Sequence, residues 1–176
     1  MPRKSGIQRR TVLNSKATGI FGAVVAAAVV GLATPVQAHH SFAIFDAEQT
    51  KVFTGVVTRV NPDANHLQIF FAPMNQERKN VERGPDGKPV IWAVEMEGSA
   101  QAATMGISVN SFPPGTVFSV ALHPLRSGEP AGSRRDTGAI YKCPEKTPPA
   151  PGKNCDSVEG HTTIGTGALP EPTLAK

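Results

Sequence analysis

The chain has 176 residues, with 18 Lys and Arg against 14 Asp and Glu, for a formal net charge of +4. The excess is local: five of the basic residues fall within residues 1–38, and the remaining 138 residues carry 13 basic against 14 acidic, a net charge of −1. That balance excludes a nucleic-acid binder of the usual kind, because phosphate contact needs a basic face, and 138 residues suffice for one ordinary core.

Residues 1–38 have the three parts of a secretion signal. Arg3, Lys4, Arg9, Arg10 and Lys16 give a basic start without an acidic residue, and Ile20 to Leu32 is an apolar run of mainly Ala, Val and Gly. Pro35 ends that run, and Val36 and Ala38 supply the small residues a signal peptidase reads. The run is shorter than the 18 or so apolar residues of a spanning helix, so cleavage after Ala38 is expected and no membrane span after it. Arg9-Arg10-Thr11-Val12-Leu13 resembles a twin-arginine signal with Val12 where Phe is usual, which leaves both export routes open. The working protein is therefore expected in the periplasm or outside the cell, beginning at His39-His40.

Residues 49–141 read as short strands separated by turns. Thr50 to Val60 is rich in Val, Thr and Phe, with Gly55 as the expected bulge or bend. After Asn61-Pro62-Asp63, His66 to Phe71 places Leu67, Ile69 and Phe71 on one face. Glu77 to Lys88 is a polar hairpin tip turning at Pro85-Asp86-Gly87. Val90 to Met96 alternates, with Val90, Trp92, Val94 and Met96 facing inward. Ser99 to Met105 is Ala-rich and supplies one short helix, with Ser99 as N-cap and Gly106 as stop. Phe118, Val120 and Leu122 share a face of Thr116–Leu122, and Gly138 to Tyr141 is the expected closing strand. The class is all-β with one short helix. Three strands, a helix and two strands give the chain order of a small OB-like five-stranded barrel over residues 39–141.

Residues 142–176 are proline-rich and aperiodic, and they read as an irregular tail. Cys143 and Cys155 are the only cysteines and fall in the exported part. An even pair in an oxidising compartment reads as a disulfide. Eleven intervening residues do not match zinc-ligand spacing. If the tail is independent of the core, removing the bridge should cost the barrel little.

Several motifs together resemble a family of small exported bacterial proteins, the domain-of-unknown-function family 6152. They are His39-His40-Ser41-Phe42-Ala43 with Phe45-Asp46, Gly55-Val56-Val57, Asn61-Pro62, Trp92-Ala93-Val94-Glu95, Pro114-Gly115, and His123-Pro124-Leu125-Arg126-Ser127-Gly128. The likeness spans roughly residues 39–135 and implies a periplasmic all-β domain with no activity to carry over. Members read Asn-Pro-His, whereas here Asp63-Ala64-Asn65 separates Pro62 from His66.

Histidine carries the one lead on chemistry. With the cut after Ala38, the α-amine and imidazole of His39 can chelate one ion, and a further imidazole would complete a brace-like site. Nitrogen donors of this kind suit Cu(II). His40 is the adjacent donor, while His66 and His123 lie on separate strands and meet only through folding. The bland alternative is a frayed, solvated terminus with two strand-end histidines; His161 falls in the tail. Glu95 and Glu97 are two apart on a strand, about 7 Å, which surface glutamates on a half-buried strand commonly are. Ser41 and Ser119 lack an evident triad partner, so no catalytic residues are assigned and an enzyme is not expected. The sequence leaves two classes: a copper-binding protein using His39, His40, His66 and His123, and a passive module that docks a partner protein or small ligand without metal.

Overall fold

The computed structural model describes residues 42–62 and 66–170; the expected signal segment and His39–His40 lie outside them. Seven strands form one sheet: β1 (Lys51–Asn61), β2 (Gln68–Pro73), β3 (Trp92–Glu95), β4 (Val117–Pro124), β5 (Ala131–Ser133), β6 (Ile140–Lys142) and β7 (Thr162–Ile164). Among the described residues the one α-helix, α1 (Ser99–Thr104), lies between β3 and β4. The order β1-β2-β3-β5-β4 closes on itself through a β1–β4 pairing, and β3 pairs with β5 in parallel. This is a closed five-stranded mixed barrel of OB-like topology.

Alternation in the sequence dictates what fills it. Leu67, Ile69, Phe71, Val94, Met96, Phe118, Val120 and Leu122 are all buried in one core cluster. Ala102 of α1, and Ile107 and Phe112 after it, belong to the same cluster. The aromatic rings touch in series: Trp92 to Phe53 at 4.6 Å, Phe53 to Phe71 at 5.7 Å, Phe71 to Phe118 at 5.3 Å and Phe118 to Phe112 at 5.8 Å. Such contacts add to the area they remove from water.

Four local expectations are corrected. The bulge in β1 falls between Val57 and Arg59; Gly55 is required for space, since a Cβ there would sit 2.5 Å from Phe71 Cδ2. Gly98 is the helix N-cap, and the Ser99 hydroxyl instead donates to Pro62 O at 2.6 Å. The closing strand is Ala131–Ser133, while Ile140–Lys142 takes a different stretch of the β4 edge. The physical reason is length: on β4, β5 pairs only with His123 and Pro124, leaving the start of β4 open on that side. An open edge is an aggregation hazard, and here β6 pairs Lys142 and Tyr141 with Phe118 and Ser119.

The fourth correction concerns the tail. It supplies β7, which pairs with β6, and Ile164, which joins the core cluster. Cys143 and Cys155 are disulfide-bonded with Cα atoms 4.9 Å apart, and both are buried. Next to the bridge, the buried hydroxyls of Thr54 and Ser119 share a 2.7 Å hydrogen bond. Thr54 Oγ1 also donates to Asn154 Oδ1 at 2.9 Å, and Cys155 N–H donates to Ser119 Oγ at 2.8 Å. Arg78 reaches across from the hairpin tip to Lys153 O and Asn154 Oδ1; burial pushes its guanidinium below the ordinary value, with Glu82 opposing. Buried polar groups need such partners. The described residues accordingly fall within a single compact unit, the tail to residue 170 included.

Candidate functional site

The N-terminal segment is laid against the barrel rim by backbone pairing. Phe42–Ile44 forms a 3-10 turn, and Phe45 makes an antiparallel bridge with Leu125, just past the end of β4. Asp46 N–H donates to Pro124 O at 2.8 Å, and Arg126 N–H donates to Ile44 O at 2.9 Å. These bonds bring together two of the motifs singled out in the sequence, Phe45-Asp46 and the stretch around Arg126.

His66 lies just before β2, and His123 lies near the end of β4. The Nδ1 of His66 is 3.1 Å from Met96 O and 4.0 Å from Glu95 Oε1. The Nδ1 of His123 is 2.7 Å from Gln49 O. A carbonyl oxygen only accepts, so in each neutral ring Nδ1 carries the proton and the lone pair sits on Nε2. Metal-binding imidazoles are oriented in this way, the far nitrogen donating to a carbonyl or carboxylate.

The two histidines border neighbouring clefts. One, of about 320 Å³, is lined by His66, Met96, Glu97, Gly98 and Gln101 together with Phe42, Ser133, Arg135 and Asp136. The other, of about 200 Å³, is lined by Phe45, Ala47 and His123 and by the same Phe42, Ser133, Arg135 and Asp136. Phe42 stands between them. Its ring meets His66 edge-on at 6.3 Å, and the Arg135 guanidinium lies 4.1 Å from its centre. Glu97 on this side is bonded to Arg134, while its Oε2 is buried without a partner. A larger cleft of about 490 Å³ lies elsewhere, walled by Pro113, Pro114 and Pro144; it holds no histidine, and Lys142 there donates to Ser111 O.

Among the described residues no group of three or more His, Cys, Asp or Glu side chains is disposed to hold a metal ion. Of the four sequence-predicted ligands, His66 and His123 are placed on adjoining clefts, and His39 and His40 fall outside the described residues. His161 is remote in role, its Nδ1 bonded to Val158 O in the tail. Ser119 is buried against Thr54. Sequence reasoning missed Phe42, Arg135 and Asp136. Phe42 was visible within the His-His-Ser-Phe-Ala motif, but nothing in the sequence linked it to Arg135.

Strand order and connections define a small closed β-barrel protein whose N-terminal segment lies on the barrel rim. The chain belongs to the Family of unknown function (DUF6152), which matches residues 26–134. No curated protein and no solved structure matches it. Among the described residues no helix is long and apolar enough to cross a membrane.

Proposed function

We propose that this is an exported copper-binding protein, a periplasmic carrier or buffer and not an enzyme, in which the mature N-terminus at His39 completes a nitrogen site with a barrel histidine. The observation that carries the reading is the disposition of His66 and His123. Both present Nε2 as the lone-pair nitrogen, and both border clefts lined by Phe42. Only Ser41 separates His40 from Phe42. A chain spans at most about 3.6 Å per residue, so the His39 amine lies within about 11 Å of the Phe42 backbone. Amine and imidazole nitrogen favour Cu(II).

The test is titration of the mature protein, beginning at His39, with Cu(II) read by electron paramagnetic resonance. One ion with nitrogen-dominated coordination is expected. One residue added before His39 should weaken binding sharply by moving the amine out of the chelate ring. Replacing His66 or His123 by Gln should identify the barrel ligand. Binding should also fall with pH, since protons compete for the same nitrogens. Equal weak affinity in the mature and extended proteins would end the copper reading. The passive binding module would then stand.

A further inference from the structure

The His123-Pro124-Leu125-Arg126-Ser127-Gly128 motif supplies one histidine to the reading above, and the rest of it has no role there. Its geometry shows what the rest does. Arg126 meets the N-terminal segment three times: its N–H donates to Ile44 O at 2.9 Å, its Nε to Ala43 O at 3.2 Å, and its Nη1 lies 3.6 Å from Asp46 Oδ1. Pro124 and Leu125 hold the same segment through Asp46 N–H and the bridge to Phe45. We infer that Arg126 is a positioning residue, clasping residues 43–46 to the rim so that Phe42 is held beside His66.

Arg126 adds side-chain contacts to a segment otherwise tied through Phe45, the Asp46 amide and the Phe42 ring. Phe42, Ala43 and Ile44 are exposed, and the turn they form buries none of its residues. A short exposed segment frays unless tied down. Arg126 is itself well exposed, with 58% of its side-chain surface in solvent, so its charge is screened and contributes little to global stability. Its effect is therefore local. A planar guanidinium can donate to Ala43 O and face Asp46 at once, which a lysine ammonium on a flexible stem does less well.

The inference rests on the copper reading only for why position matters; the clasp itself is tested without metal. The variants are Arg126→Gln and Arg126→Lys in the mature protein, with Val57→Ala as a control that weakens the core and leaves the clasp alone. In Arg126→Gln the Asp46 amide should exchange with solvent several-fold to about tenfold faster, from loss of a charge-assisted bond at an exposed site. The amides of Val94 and Val120 should be unaffected. The His66 ring protons should shift as Phe42 leaves its edge-on contact, and Arg126→Lys should fall between the two. Cu(II) binding should weaken in Arg126→Gln and hold in Val57→Ala, although the latter loses more stability. Unchanged Asp46 exchange and unchanged His66 shifts would overturn the clasp whatever copper does. Faster exchange with Cu(II) binding intact would overturn the positioning role and leave the copper reading standing. If the parent protein binds no Cu(II), the copper reading falls, and the exchange and shift measurements still decide the clasp.

Discussion

Replacing both cysteines by alanine should destabilise the whole barrel and not only the tail. The bridge closes a separation of 12 residues. In the chain-entropy account such a loop contributes about 3 kcal/mol by restricting the unfolded chain. The structure adds a reason for the loss to reach the core. Cys155 N–H and Asn154 Oδ1 satisfy the buried Ser119 and Thr54 hydroxyls, which lie on β4 and β1. Weakening the anchor thus exposes polar groups in the middle of the barrel wall. Against a total stability of about 5–15 kcal/mol, a loss of about 3 should lower the melting temperature by roughly 10 °C. The chain offers a convenient assay because it has one Trp and one Tyr. Trp92 on β3 reports the barrel, and Tyr141 on β6 reports the added edge. Urea unfolding followed by both signals should give coincident transitions, shifted together in Cys143→Ala/Cys155→Ala. A loss below about 1 kcal/mol, or a Tyr141 transition that separates while Trp92 keeps its midpoint, would refute the reasoning and return the tail to an independent appendage.

Two further outcomes test the closure and the buried charge. Gly132→Ala should cost about 1–3 kcal/mol by overpacking, because a Cβ there would lie 2.5 Å from both His123 O and Leu122 Cδ1; an unchanged melting curve would contradict the close β4–β5 approach that seals the barrel. Arg134→Met should cost about 3 kcal/mol, the lower end for breaking a buried pair, since Glu97 keeps 24% of its side-chain surface in solvent. The double variant Arg134→Met/Glu97→Met should recover most of that loss in the same unfolding assay, and equal losses in single and double variants would show that the pairing is not what matters.

The parts of the fold that were legible in the sequence are those where one face is buried and one is not. Leu67-Ile69-Phe71, Val94-Met96 and Phe118-Val120-Leu122 alternate because alternate residues enter the core, and that pattern sufficed for barrel, helix and chain order. Ala131-Gly132-Ser133 escaped notice because crowding at Gly132 removes the side chain that would have signalled a strand. Thr162–Ile164 escaped because a single buried residue, Ile164, has no period. Ser99 looked like a cap because its hydroxyl suits that role, yet tertiary contact gave it Pro62 O instead. For the site, residue types were visible and adjacency was not. Nothing local tells that His66 and His123 border clefts with a shared wall, since 57 positions of folded chain separate them.

The family match ends at residue 134, directly after β5 ends at Ser133. The match takes in all five barrel strands, whereas β6, β7 and the disulfide lie beyond it. The segment after residue 134 goes where the barrel's pairing is least complete. A closed sheet abolishes edges only where every strand is long enough to pair along its neighbour. Here β4 has eight residues and β5 three. The first part of β4 is left to be covered by the Thr137 hydroxyl on Ala121 O, by β6 on Phe118 and Ser119, and by Cys143 N–H on Val117 O. Beyond the other end of β4, the N-terminal segment pairs Phe45 with Leu125. Both ends of the described chain thus act on one strand. The tail completes its edge and is locked by a disulfide, which suits a permanent structural role. The N-terminal segment is held by non-covalent contacts, among them backbone bonds, the buried Phe45 ring, the Arg135 guanidinium against Phe42, and Arg126. The tail is tied by a covalent bond and the N-terminal segment by reversible ones, and His39 and His40 precede that segment in the sequence.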